Sequence, residues 1–284
     1  MVTYSEVATL PLLNTYGGGQ AAYSLRKLNS SYTGAAINVR RTSPTAASQD
    51  IGFTAAGDLD VGALSTFCGS GDGFVQTWYD QSGNGRNATQ ASQTLQPKIF
   101  ESGFTLYVNS KPAVYFDGDY LDTSAFAPNP NHEVNAAGVV QFDNVTSRQS
   151  AASQWGSSGQ QNFFFQMQEV VVGMRFGYRY DDGSLPYEDQ VATATADTQY
   201  LMAAQFEQGD IHVLYNNVAG TQTNTPTSSA RPNNNSRALR LGGLSTNTTQ
   251  LMSGFIQEWV MWSNASAHDH SEISTDINDY YDVY

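Results

Sequence analysis

Charged side chains are scarce in this sequence: Asp, Glu, Lys and Arg make up 14% of its 284 residues, against roughly 25% in an average soluble domain. Cations are scarcer still, with 13 Lys and Arg against 26 acids and a formal net charge of -13. Nucleic-acid binding needs clustered cations to displace counterions from phosphates, so that class of partner is argued against. The same charge repels anionic membrane surfaces. Cys68 is the only cysteine, so no disulfide can form within the chain and the fold must rest on its apolar core. No run of about 18 apolar residues is present to span a membrane. Residues 1–19, MVTYSEVATLPLLNTYGGG, lack the basic start and continuous apolar stretch of a secretion signal. If the protein acts outside a cell, the expected exit is lysis or a dedicated machine.

What is present is 40% hydrophobic and 12% aromatic residues set in a background of Ser, Thr, Asn, Gln and Gly, which favour turns. Residues 19–31, GQAAYSLRKLNSS, place Ala21, Ala22, Leu25 and Leu28 at helical spacing and predict an amphipathic helix. Short strands are expected over AINVRR (36–41) and QDIGF (49–53), then a short helix around DVGALSTFC capped by Asp58 or Asp60. Beyond residue 97 apolar segments such as PAVYFDG, NAAGVVQF, QNFFFQMQ, VVVGMRFGYRY, QYLMAAQFE, DIHVLYNNV, RALRLGG and GFIQEWVMWS alternate with turn clusters. That pattern predicts a sandwich. The final segment, SAHDHSEISTDINDYYDVY, carries Ile273, Ile277 and Tyr280 or Tyr281 at helical spacing and predicts a closing helix. The expected organisation is an arm over residues 1–18 and one all-β sandwich over 19–284.

Residues 73–90, GFVQTWYDQSGNGRNATQ, join an apolar strand to a polar run at Asp80. A strand-terminal Asp can accept bonds from the next backbone N–H groups, and Gly83 and Gly85 can take positive φ, with Asn84 between them. A structural turn at Asp80, Gly83, Asn84 and Gly85 is therefore expected, in preference to a catalytic or calcium-binding carboxylate, because calcium needs 6 to 8 oxygens.

The wider stretch TFCGSGDGFVQTWYDQSGNGRNATQ is similar to a segment of the catalytic domain of the α-L-arabinofuranosidase B family. AAYSLRKLNSSYTGAAINVRR and GFIQEWVMWS resemble that family's first elements and its last core strand. Segments of the same kind occur in capsid- and tail-associated proteins of bacteriophages. The resemblance implies a concanavalin-A-like or laminin-G-like jelly-roll sandwich with a helix at each end. It also implies departures from the enzyme. The second Cys of the family's N-terminal pair falls on Gly73, and its vicinal Cys pair, which floors the sugar pocket, falls on Ala151-Ala152, ahead of Trp155-Gly156. The acid/base Asp falls on Leu244, and the nucleophilic Glu lies near Tyr180 or Asp181, with Asp182, Glu188 and Glu258 as displaced alternatives.

With no matched carboxyl pair, the sequence is read as a non-enzymatic bacteriophage virion protein, a capsid decoration, head fibre or tail-fibre tip that adheres to host-surface glycans. Its expected partners are other virion proteins and further copies of itself, a trimer being favoured. The alternative is an arabinofuranosidase-like glycoside hydrolase acting on host polysaccharide. Candidate glycan-binding residues are Trp155, in a polar loop, and Tyr178, Tyr180, Asp181 and Asp182, where tyrosines adjoin carboxylates. An ordinary hairpin turn is the blander reading of the last four. Trp78, Trp259 and Trp262 are expected in the core. His132, His212, His268 and His270 lack the spacing of a ligand set, so neither a metal nor a cofactor is expected.

Overall fold

The computed structural model describes residues 10–43, 45–168, 173–190, 192–245 and 250–284. Its centre is the ten-residue strand Ser253–Trp262. On one side this strand pairs along its length with Val134–Phe142, which in turn pairs with Gln199–Glu207. On the other side it pairs first with Val114–Asp117 and then with Gly19–Ser24. Arg240–Leu241, Gln149–Gln154, Phe163–Gln168, Gly173–Tyr178 and Tyr187–Asp189 form the facing layer, all antiparallel. The result is the expected jelly-roll-like β-sandwich with a helix near each end.

Aromatic packing holds the two layers together. Trp259 stacks on Phe163, Phe165 and Phe176 of the facing layer with centroids 6.1 Å apart in each case. Each such side chain contributes about 1.5–3 kcal/mol when fully buried. Gly138, opposite Trp259 on the neighbouring strand, makes room for the indole: a Cβ there would lie 2.6 Å from it. The outer side of the central strand is covered by the C-terminal helix His270–Tyr281, which buries Ile273, Ile277 and Tyr281, with Leu12 and Leu13 in the same cluster.

The helix expected over residues 19–31 is corrected by the structure: Gly19–Ser24 is a strand, and the helix near the N-terminus is the single turn Leu12–Thr15. Both faces of that strand are buried. Ala21 and Tyr23 enter the core between the layers, while Ala22 joins the cluster beneath the C-terminal helix. A strand buried on both faces loses its alternation and can imitate helical spacing. The other helix near the start is where the sequence placed it, Val61–Cys68, with the Asp60 carboxylate accepting from the Ala63 N–H.

Candidate functional site

Asp80 is 4% exposed and its carboxylate is fully engaged. Oδ1 accepts from the Ala22 and Ser82 N–H groups at 3.0 and 2.9 Å. Oδ2 accepts from the Ser82 hydroxyl at 2.8 Å and the Arg86 N–H at 3.0 Å. Gly83 and Gly85 take φ of 90° and 69°, and the Asn84 amide donates to the Gly19 and Gln20 carbonyls. The loop therefore fastens the strand Gly19–Ser24 to the strand Gly73–Trp78. No face of the carboxylate is left for a substrate.

The tyrosine and aspartate candidates are likewise occupied. Tyr178 and Tyr180 are 0% and 1% exposed. The Tyr178 hydroxyl donates to the Asn233 carbonyl, and the Tyr180 hydroxyl to carbonyls of Glu207 and Asp210. Burial raises the pKa of both. They belong to the core side of their strand and present no ring to a sugar, which corrects the platform reading. Asp181 accepts from the Arg231 N–H. Asp182 accepts from the N–H and hydroxyl of both Ser184 and Thr227, and the Ser184 bonds above all hold it down at about 2. These two carboxylates close a hairpin and tie it to a neighbouring loop.

Trp155 alone of the five lines a hollow, of about 260 Å³, on the outer face of the second layer. Its floor is the strand Phe163–Gln168, where alternation sends Phe163, Phe165 and Met167 into the core and leaves Phe164, Gln166 and Gln168 facing outward. Trp155 meets Phe164 edge-on at 5.3 Å. The Gln166 amide donates to Gln250 Oε1 at 2.7 Å and to Ser150 Oγ at 3.0 Å, and accepts from the Gln168 amide at 2.8 Å. Arg175 stacks on the Tyr187 ring at 3.8 Å and grips Asp189 with two bonds of 2.6 and 2.9 Å. Leu244 completes the wall. Ser245 locks its loop to that of Trp155, accepting from the Trp155 N–H at 2.7 Å and donating to the Trp155 carbonyl at 2.8 Å. Aromatic faces with oriented amides and a fixed ion pair are the equipment of a small polar-ligand site, and the volume is below the roughly 300–1,000 Å³ of drug-sized pockets.

Of the positions that the resemblance relates to the enzyme's sugar pocket, Trp155 and Leu244 line the hollow, whereas Ala151, Ala152, Tyr180 and Asp181 do not. Ala151 and Ala152 are fully buried on the strand Gln149–Gln154. Ala152 pairs with Leu241. Gly73 also falls where the family's second Cys is expected, since a Cβ there would lie 2.7 Å from Cys68 Sγ.

Among the described residues lining the hollow there is no Asp or Glu. Asp189 lies at its edge beside Arg175, on the same strand face as Tyr187. Glu188 points the opposite way, accepting from the Val213 N–H at 2.8 Å. Burial pushes its pKa up to about 7, partly offset by that N–H and by His212. Consecutive strand residues face opposite sides, so Glu188 and Asp189 cannot flank one glycosidic bond. Glu258 is fully buried elsewhere, held by both arms of Arg26 at 2.8 Å, by Ser24 and by Tyr281. Arg175, Tyr187 and Asp189 were missed in the sequence. The available signal was the pair Gln166 and Gln168 in an otherwise apolar strand.

Three of the four histidines, His212, His268 and His270, border one open hollow with Glu207 and Asp269, and His132 lies elsewhere. His212 and His270 stack at 5.8 Å, His268 bonds the Gly17 carbonyl and His132 approaches that of Pro232. Among the described residues no group of three or more His, Cys, Asp or Glu is arranged to hold a metal ion.

Comparison with known proteins gives residues 15–107 a match to the family model "Alpha-L-arabinofuranosidase B, catalytic". A GH54 α-L-arabinofuranosidase soaked with a cyclic sulfate inhibitor superposes with TM-score 0.66 at 15% identity, over 96% of this chain and 65% of that one. An arabinofuranosidase complexed with arabinofuranosyl-α-1,2-xylobiose gives 0.66 at 20% identity, over 97% and 66%. The binding domain of Paraclostridial Mosquitocidal Protein 1 gives 0.51 at 9% identity, over 72% and 49%. The chain thus spans just under two thirds of the length of the arabinofuranosidases it matches. No curated protein matches. The expectation of a non-enzymatic virion protein is corrected by these findings: the family model is that of a catalytic domain, and the solved structures matched over nearly the whole chain are arabinofuranosidases. A bacteriophage origin finds no support among them. The chain is a β-sandwich resembling the carbohydrate-directed domain of GH54 arabinofuranosidases.

Proposed function

We propose that this chain is an arabinofuranosidase-like glycoside hydrolase domain, with the hollow between Trp155 and Leu244 as the site that receives an arabinofuranosyl group. One observation carries the reading. Trp155 and Leu244, some ninety residues apart and both at or beside positions that the family resemblance relates to the enzyme's site, line one hollow together with aromatic rings and side-chain amides.

Retaining hydrolysis uses a carboxylate nucleophile and a carboxylic acid about 5–5.5 Å apart. Asp189, at the edge of the hollow beside Arg175 and on the same strand face as Tyr187, is the carboxylate assigned as nucleophile. Arg175 fixes its direction, and one of its two bonds to Arg175 must open to release an attacking oxygen. By the family resemblance the acid falls on Leu244, which can transfer no proton. Substrates whose leaving group departs as a stable anion therefore suit the site best, because they need no general acid.

The test is release of nitrophenolate from 4-nitrophenyl α-L-arabinofuranoside. Turnover by the unchanged chain, reduced at least about 100-fold by Asp189→Asn with thermal stability retained, is the expected result. Absence of turnover, or turnover indifferent to that substitution, contradicts the assignment.

A further inference from the structure

We infer that a second, non-catalytic glycan site lies on the opposite face of the sandwich, where Phe74, Tyr115 and Phe255 form a row that holds an extended, uncharged polysaccharide chain. It does not depend on the hollow beside Trp155 being a catalytic site.

The row is set by strand register. Phe74 lies directly opposite Lys98, Lys98 opposite Tyr115, Tyr115 opposite Phe255 and Phe255 opposite Gln141, so side chains from five adjacent strands share one face. Adjacent strands lie about 4.8 Å apart, and the Tyr115 and Phe255 rings keep that step, with centroids 4.8 Å apart. The inward neighbours Val75, Ile99, Val114 and Ile256 are fully buried, whereas the residues of the row are only partly buried. The C-terminal helix covers the other end of the same face, over Val139, Val260 and Trp262.

At the Phe74 end a hollow of about 400 Å³ is bordered by Gln93, Asp117 and Asp119. Its cations are already engaged: Arg40 packs on Phe74 at 4.7 Å and donates to Gln96, and Lys98 pairs with Glu101. The Asp119 carboxylate is short of donors. Among the described residues its one hydrogen bond comes from the Asp117 N–H at 3.2 Å, and desolvation raises its pKa to about 6. Further along, the Tyr115 and Ser253 hydroxyls both donate to Asp143 Oδ2 at 2.9 Å. Rings flanked by carboxylates and amides suit a polyhydroxyl chain, because aromatic faces take the C–H side of sugar rings and hydroxyls donate charge-assisted bonds to carboxylates. Asp117, Asp119 and Asp143 repel a polyanion, and against a second copy of this face they would meet their own like charges.

The probe is soluble, neutral arabinoxylan cast into a native gel, with retardation of the migrating protein as the readout. The protein should be retarded, and the retardation should persist in Trp155→Phe and at raised salt. Phe255→Ala and Asp119→Asn should each weaken the apparent affinity at least about fivefold. Their melting temperatures verify folding, and their cleavage of 4-nitrophenyl α-L-arabinofuranoside should match that of the unchanged chain. This pattern of retardation without any aryl arabinofuranoside cleavage upholds the inference and overturns only the hydrolase reading. No retardation, retardation lost in Trp155→Phe or at raised salt, or retardation indifferent to both Phe255→Ala and Asp119→Asn overturns the inference.

Discussion

Cys68 and Gly73 stand in disulfide register: a Cβ on Gly73 would lie 2.7 Å from the Cys68 sulfur. The thiol is buried and its pKa is pushed up to about 11, chiefly by desolvation, so it is unreactive near neutrality. Gly73→Cys should therefore close a bridge in oxidising buffer, seen as loss of all titratable thiol in denaturant. Loop closure over so short a span is worth about 2 kcal/mol. Contact of the new Cβ with Phe100 and Val39, at 3.0 and 3.1 Å, reduces that gain. Two free thiols under these conditions would show that the register is wrong.

Asp80 is assigned to holding the chain. Asp80→Ala removes a carboxylate that accepts four hydrogen bonds and leaves the Ala22 and Arg86 N–H groups without acceptors. Urea unfolding should show a loss of about 3 kcal/mol. Activity per folded molecule should be unchanged. Lost activity with unchanged stability would instead make Asp80 catalytic.

Glu188 predicts a pH dependence of stability. Its folded pKa, about 7, lies above the ordinary glutamate value of 4.5, so the folded state holds the proton more tightly than the unfolded state. Between those two values the native chain binds the extra proton, and stability falls as pH rises. The loss is complete above about pH 7 and is of the order of 3 kcal/mol. Glu188→Gln should flatten the stability profile across this window while keeping an oxygen for the Val213 N–H. A profile unchanged by the substitution would refute the assignment.

The Arg26–Glu258 pair clamps the C-terminal helix. Glu258 is fully buried, and Arg26 also stacks over Tyr280 and Tyr281 of that helix at 4.6 and 5.4 Å. Glu258→Gln leaves the guanidinium without its counter-charge and should cost about 3–5 kcal/mol. Loss of less than 1 kcal/mol in chemical denaturation would show that the pair is dispensable.

Much of the sandwich was legible because its long strands are rich in apolar and aromatic residues between turn clusters, as in Val134–Phe142 and Ser253–Trp262. Two strands were hidden for opposite reasons. Gly19–Ser24 is buried on both faces and carried no alternation. Gln149–Gln154 is wholly buried yet reads as polar, because its Ser and Gln side chains bond neighbouring loops. The site was legible only at Trp155 and Leu244. Arg175 and Asp189 find each other across paired strands, a relation that depends on register, and single-sequence patterns do not give register. Tyr178 and Tyr180 misled because adjacency to carboxylates in sequence does not tell which face of the strand they occupy.

The central claim is that the hollow beside Trp155 receives an arabinofuranosyl group. Of the four tryptophans, Trp78, Trp259 and Trp262 are fully buried, whereas Trp155 borders the hollow. Tryptophan emission during titration with methyl α-L-arabinofuranoside therefore reports on this site directly. A saturable change that disappears in Trp155→Phe is the predicted result; no change, or one that survives the substitution, would contradict it.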